Sequence, residues 1–358
     1  PAGGGRRGRG ALDPRGDGVT ENAEMLYPGL DLGDYVLSRR LAAGGMGEVW
    51  VAERKAGGGL AEVALKMMRG ASEPQVRAVW RDELAVSRRL RHENVVTVFD
   101  GFEQEPWLVQ VMELVPGQDL RHVQRGLGEE PLPVQHGLYI AGCLARAMAY
   151  VHGRADPDGR PLRIIHRDIS PQNVMIGCDG SVKLLDFGIA RHQARENTTA
   201  LKLVKGKAAY MSPEQAQGHP LDQRSDVFSA GIVLWELLAG ERLFKADHPM
   251  DSMQRIVQAG IPSLARSARP IPEAVVQLVD KMLSKDPDRR PPDMTEVYRW
   301  LKAALVRHYE REAFGARALA DFLSLRLPRT PLHPTSSLGV APAATQPDQA
   351  PFGEGRGS

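Results

Sequence analysis

The chain holds 358 residues, 42% hydrophobic and 25% charged, with a formal net charge of +2. That length and balance suit a globular enzyme with a substantial core and exclude a wholly disordered chain. The small charge gives no reason to expect nucleic acid or an anionic membrane as main partner, and two cysteines, Cys143 and Cys178, supply neither a zinc site nor a disulfide framework.

Residues 1–34 open with PAGGGRRGRGALDPRGDG, which has no apolar stretch, so a disordered tail is expected and no secretory signal is visible. A first residue that is proline is expected of a fragment or a misplaced start. From Tyr35 the texture is strand-like: YVLSRRLA, EVWVAER and EVALKMM, separated by glycine clusters. A helix follows over SEPQVRAVWRDELAVSRRL, with Ser72 as its N-cap and Pro74 in the first turn. Two more strands are expected around FEQEPWLVQVMELV. After Pro116 the pattern is mainly helical, with short strands between Ile164 and Leu185. VFSAGIVLWELLAG, from Val227, is apolar all round and shorter than the roughly 20 residues a bilayer span needs, which marks a helix buried in the protein. An amphipathic helix is expected over residues 306–327, and 328–358 has the Pro, Ser, Thr and Ala content of a disordered tail. The expected fold is α+β: a small β-rich lobe (35–115) with one helix, then a larger α-helical lobe (116–305), with a ligand cleft between them.

Glycines at 44, 45 and 47, between two strands, let a backbone turn approach a phosphate and point N–H groups at it; an ordinary hairpin turn is the alternative. Strand alternation puts Ala64, Lys66 and Met68 of EVALKMM on one face. There alanine leaves room for a flat ring and lysine reaches a phosphate, unless the lysine merely sits on an edge strand. Val76, Val79, Trp80, Glu83, Val86 and Leu90 form one helical stripe, so Glu83 lies in an apolar face and needs a cation, for which Lys66 is the natural candidate. The alternative is a Glu83 that reaches the rim of the stripe.

In RIIHRDISPQNVMIGCDGSVKLLDFGIA, the runs NVMI and VKLL flank the turn GCDGS as a hairpin. Asn173 enters its first strand and Asp186 leaves its second, so both reach the same end. Two oxygen-bearing side chains there suit a hard cation such as magnesium that also holds phosphates. Asp168, in the same loop, is placed to accept a proton from a nucleophile.

These motifs together resemble the protein kinase family, specifically the eukaryotic-like serine/threonine kinases of bacteria. The likeness covers residues 35–305 and includes the glycine loop, VALK, the helix glutamate, HRD…N, DFG, YMSPEQ, RSDVFSAGIVLWELLAG and KDPDRRP. It implies a bilobal kinase fold that binds ATP and Mg2+ and phosphorylates Ser/Thr of protein substrates and of itself in bacterial signalling. On that resemblance Lys66 holds phosphates and pairs with Glu83, Asp168 is the base, and Asn173 and Asp186 bind the metal. Leu41, Ala42, Ala43, Gly44, Gly45, Met46 and Gly47 form the nucleotide loop. Val49 and Ala64 line the adenine pocket, with Met112 before a hinge from Glu113 to Val115. Glu214 and Arg290 resemble the pair that ties down the activation segment, and Asp226 the brace of the catalytic loop.

Three departures stand out. Ala42 replaces the first loop glycine, a change expected to be tolerated. Ser170 replaces the lysine that usually faces the transferring phosphoryl group, and Lys207 stands where the family usually has threonine. The expectation is an exchange: Lys207 supplies the cation and Ser170 the lost hydrogen bond. A Lys207 that faces solvent is the alternative. Arg167 is expected to receive a phosphate on Thr198 or Thr199.

A pseudokinase scaffold and a small-molecule phosphotransferase are the rival functions. Lys66, Glu83, Asp168, Asn173 and Asp186 argue against the first, and the long segment ending in YMSPE argues against the second. The two unpaired thiols suit a cytoplasmic protein.

Overall fold

The computed structural model describes residues 25–44, 47–55, 62–128, 130–186, 207–267 and 269–327. Gly45, Met46, Thr198 and Thr199 lie outside these residues. The first lobe is a sheet of order β1-β2-β3-β4-β6-β5, in which every neighbouring pair is antiparallel. Its strands are β1 (Asp31–Leu32), β2 (Tyr35–Gly44), β3 (Gly47–Arg54), β4 (Glu62–Arg69), β5 (Val98–Gln104) and β6 (Trp107–Glu113).

The period-2 pattern decides what each face packs. Leu37, Trp50, Ala52, Val63, Leu65, Met67, Val109 and Val111 form one core on the outer face. Leu41, Val49, Val51, Ala64 and Met112 face the other way, against Trp80 and Leu84 of α1 (Pro74–Ser87). Each large apolar side chain so buried stabilises the lobe by about 1.5–3 kcal/mol. Gly47 closes the turn between β2 and β3 at φ 127°, and a Cβ there would sit 1.9 Å from the Met67 carbonyl oxygen, so the position admits only glycine. Ala42 is not among the residues with positive φ and pairs in register with Val49, which explains why alanine is accepted there.

The second lobe begins with β7 (Gly117–Asp119) and α2 (Leu120–Gly126), followed by α3 (Val134–His152). β8 (Val174–Gly177) and β9 (Val182–Leu184) form the expected hairpin, and β7 completes a three-stranded sheet. Then come α4 (Pro213–Gln217), α5 (Gln223–Ala239), α6 (Pro249–Gln258), α7 (Glu273–Met282), α8 (Met294–His308) and α9 (Ala316–Arg326). The apolar run from Val227 is α5, buried from Ser225 to Leu238 and packed against α3 and α7. Asp222 caps its N-terminus by accepting from the Arg224 amide, and Gly240 ends it in the left-handed conformation.

Three expectations need correction. Residues 25–34 are not tail: β1 pairs with β2, and Leu26 and Leu32 are buried in the outer core, because three leucines supply apolar surface that the glycine-rich opening lacks. The N-cap of α1 is Glu73, not Ser72; its side chain makes no capping bond, and Pro74 at the first helical position sets the start. Residues 306–327 are not one helix. α8 runs on to His308, Tyr309 is extended, and α9 starts after Gly315 at φ 110° with Leu319 and Leu323 buried.

Candidate active site

The hairpin arithmetic holds in three dimensions. Val174 pairs with Leu184, and the Leu185 amide donates to the Asn173 carbonyl at 2.8 Å, so Asn173 and Asp186 leave the sheet side by side. Asn173 Nδ2 donates to the Asp168 carbonyl at 2.6 Å and to its Oδ2 at 3.0 Å, which ties the loop to the hairpin. Asn173 Oδ1 is buried and has no hydrogen-bond partner among the described residues. An acceptor left bare in this way is costly unless something electropositive meets it. Across the cleft, Lys66 reaches Asp186 Oδ1 at 2.8 Å, and Glu83 is buried on α1.

Lys207 does not face solvent. Its ammonium lies 2.8 Å from Asp168 Oδ2, with the two side chains only 10% and 13% exposed. A cation from beyond the DFG segment therefore sits on the carboxylate of the loop. Ser170 departs from expectation. Its backbone is extended (φ −158°, ψ 160°) and turns the side chain into the core; its buried Oγ has no partner among the described residues, so the proposed replacement bond is not made.

The loop's shape is strained and held from below. Arg167 (φ 65°) and Asp186 (φ 44°) occupy the left-handed region, which costs about 1 kcal/mol or more for each non-glycine residue. Asp226 of α5 compensates: Oδ1 accepts the Arg167 amide at 2.9 Å, and Oδ2 accepts the His166 amide at 2.8 Å and His152 Nε2 at 2.8 Å. Gln215 Nε2 donates to the Arg167 carbonyl at 3.0 Å, a support the sequence reading missed. His166 is wholly buried; burial lowers its pKa despite the nearby Asp226, and the neutral ring donates from Nε2 to the Leu185 carbonyl at 2.9 Å. Its role is structural.

Glu214 and Arg290 form a two-pronged pair at 2.7 and 2.9 Å, with Ser225 Oγ donating to Glu214 at 2.7 Å. Burial alone would raise the Glu214 pKa; the guanidinium and hydroxyl overcome it and hold the carboxyl down at about 2.

Beside Lys66 and Asp186 lies an apolar pocket lined by Leu41, Val49, Ala64, Met112, Glu113, Leu114, Val115, Met175 and Leu185. Leu114 belongs to the expected hinge; Met175 and Leu185 were not foreseen. A signal existed for both. Val174, Ile176, Val182 and Leu184 point into the helical lobe's core, so residues of opposite parity on the same strands face the cleft.

The Protein kinase domain profile matches residues 35–300. The tyrosine-protein kinase MasK of Myxococcus xanthus is 33% identical over 300 residues, covering 81% of this chain and 46% of that protein. The serine/threonine-protein kinase PknB of Mycolicibacterium smegmatis is 35% identical over 297 residues, covering 80% of this chain and 45% of that protein. For the serine/threonine-protein kinase PrkC of Bacillus subtilis the identity is 33% over 260 residues, 72% of this chain and 38% of that protein. The chain thus spans less than half the length of these relatives. Among solved structures, the PknI kinase domain of Mycobacterium tuberculosis superposes with a TM-score of 0.61 at 24% identity, covering 78% of this chain and 100% of that domain; this likeness shows the fold. The chain belongs to the protein kinase family, among the eukaryotic-like kinases of bacteria.

Proposed function

We propose that this chain transfers the γ-phosphoryl group of ATP to serine or threonine hydroxyls of proteins, itself included. One observation carries the reading: the Lys66–Asp186 pair lines an apolar pocket, and Asp168, with Lys207 on its carboxylate, is tied through Asn173 to the hairpin that ends at Asp186. The adenine lies between Leu41, Val49 and Ala64 above and Met175 and Leu185 below, against the backbone of Glu113 to Val115. The loop from Leu41 through Ala42, Ala43, Gly44, Gly45 and Met46 to Gly47 covers the phosphates, and Lys66, oriented by Glu83, holds them. Asp168 accepts the proton of the attacking hydroxyl. Phosphoryl transfer asks mainly for positioning and charge stabilisation. Lys207 supplies part of that charge, standing in for the cation absent at Ser170, whose contribution reduces to its small size.

The donor set suits magnesium: the bare Asn173 Oδ1 and the Asp186 carboxylate are hard oxygen ligands. When bound, the ion neutralises phosphate oxygens. Arg167 has a buried Nε with no partner among the described residues, which fits it to receive a phosphate on Thr198 or Thr199. ATP as donor and two free thiols suit the cytosol. No described helix is long and apolar enough to cross a membrane.

Radiolabelled ATP with magnesium and a general protein substrate tests the proposal. Label should enter protein and vanish with Asp168→Asn. Nucleotide binding without transfer would leave a pseudokinase, and label in small metabolites alone would favour the other rival. The likeness to MasK favours a second reading, tyrosine as acceptor. Phosphoamino acid analysis of the labelled protein separates the two.

A further inference from the structure

A second cavity, of about 230 Å³, lies between α2 and the C-terminal end of α5, away from the nucleotide pocket. Its wall carries Arg121 and Arg125 from α2 and Arg242 from the segment after α5. Arg121 and Arg125 are four residues apart and so share one helix face, where like charges repel. The carboxylate nearest to them is committed elsewhere. Glu236 accepts Arg242 Nε at 3.0 Å and the Leu243 amide at 3.2 Å on one oxygen, and the Tyr210 hydroxyl at 2.7 Å on the other. Of the remaining acids on the rim, Glu130 bonds Arg326 at 3.2 Å and Glu241 is exposed. Arg121 is left half-buried with no hydrogen bond or ion pair among the described residues. Burial, then repulsion from Arg242, lowers its pKa, and the Tyr210 hydroxyl and the Glu236 carboxylate offset only part of that.

The cavity also has an address. Lys207 touches Asp168, and three residues on, after one turn of 3₁₀-helix (Ala208–Tyr210), the Tyr210 hydroxyl bonds Glu236 in the cavity wall. A 3₁₀ turn advances about 2 Å per residue and an extended peptide about 3.3 Å per residue, so the short path from Asp168 to the cavity wall is of the length that a few flanking residues of an extended substrate span. We propose that this cavity selects protein substrates by binding an acidic side chain, a carboxylate or a phosphate, close to the acceptor residue, with Arg121 as its main contact. The inference rests on the proposed kinase activity toward proteins.

The test uses the full chain and a peptide series in which each position within five residues of a single serine is in turn Asp, phosphoserine, Ala or Arg. The wild-type protein is expected to favour acid over Ala by about tenfold at one position, the worth of a charge-assisted hydrogen bond. Arg121→Ala should abolish that ratio and Arg121→Glu should shift it toward Arg; Asp and phosphoserine arms tell which anion fits. Binding of the fluorescein-labelled Asp peptide, followed by anisotropy, gives a readout independent of turnover. Binding lost in Arg121→Glu without phosphate transfer would sustain the cavity and sink the kinase reading. Transfer with no positional preference, or a preference untouched by both variants, would overturn the cavity proposal and leave the kinase reading standing.

Discussion

Replacing Lys207 by alanine tests the least conventional feature of the site. The ammonium lies 2.8 Å from Asp168, and both side chains are nearly enclosed. Two unit charges at that separation attract by about 6 kcal/mol at an effective dielectric of about 20, an upper limit before desolvation is subtracted. Losing one preorganised donor to a developing anion typically lowers turnover by about 10²–10³, or roughly 2.7–4 kcal/mol. Lys207→Ala should therefore reduce kcat by about two orders of magnitude and leave the KM for ATP within about threefold, because the loss falls on the transition state. Lys207→Arg should retain more activity than Lys207→Ala. The double variant Ser170→Lys with Lys207→Thr returns a cation to the loop, and recovery to within about tenfold of wild type is expected if the two positions exchange one duty. The assay is initial-rate transfer from radiolabelled ATP at saturating peptide, with circular dichroism to confirm folding. A Lys207→Ala enzyme within about threefold of wild-type kcat would refute the argument.

Asp226→Asn should lower kcat and destabilise the fold by about 1–3 kcal/mol, since an amide cannot accept every bond now made by the two carboxylate oxygens; thermal unfolding and initial rates measure the two effects. Ala64→Leu fills the pocket between Val49 and Leu185 and should raise the ATP KM more than tenfold, visible as weakened binding of a fluorescent nucleotide. Glu214 is held at about 2 against an ordinary 4.5, so its depressed pKa adds stability above pH 4.5 that drains away as pH falls toward 2. Urea unfolding at pH 7, 4.5 and 3 should show that slope in the wild type and a shallower one in Glu214→Gln with Arg290→Met; equal slopes would contradict the assignment.

Much of the site was legible because strands and hairpins carry fixed arithmetic. Alternation placed Ala64 on the cleft face, and the hairpin turn brought Asn173 beside Asp186. The inward Ser170 hydroxyl was not legible, since loop torsions leave no periodic trace. The break at Tyr309 was hidden because the apolar pattern continues on both sides, while the backbone turns extended there. Arg121 and Arg242 lie far apart in sequence and meet only when α2 packs beside the end of α5, a tertiary fact with no local signature. Leu26 and Leu32 were lost in a segment judged by its glycines.

Asp226 has a consequence beyond the reaction it supports. Because its carboxylate carries the His166 amide and the amide of Arg167, a left-handed residue, the active loop inherits its geometry from a helix buried from Ser225 to Leu238. A cavity-forming substitution such as Leu234→Ala, at a side chain wholly enclosed in that helix, should cost about 2–5 kcal/mol of stability and lower kcat as well, which thermal unfolding and initial rates measure. Loss of phosphate transfer in such a variant would then trace to interior packing, in a protein still folded enough to be made, stored and counted.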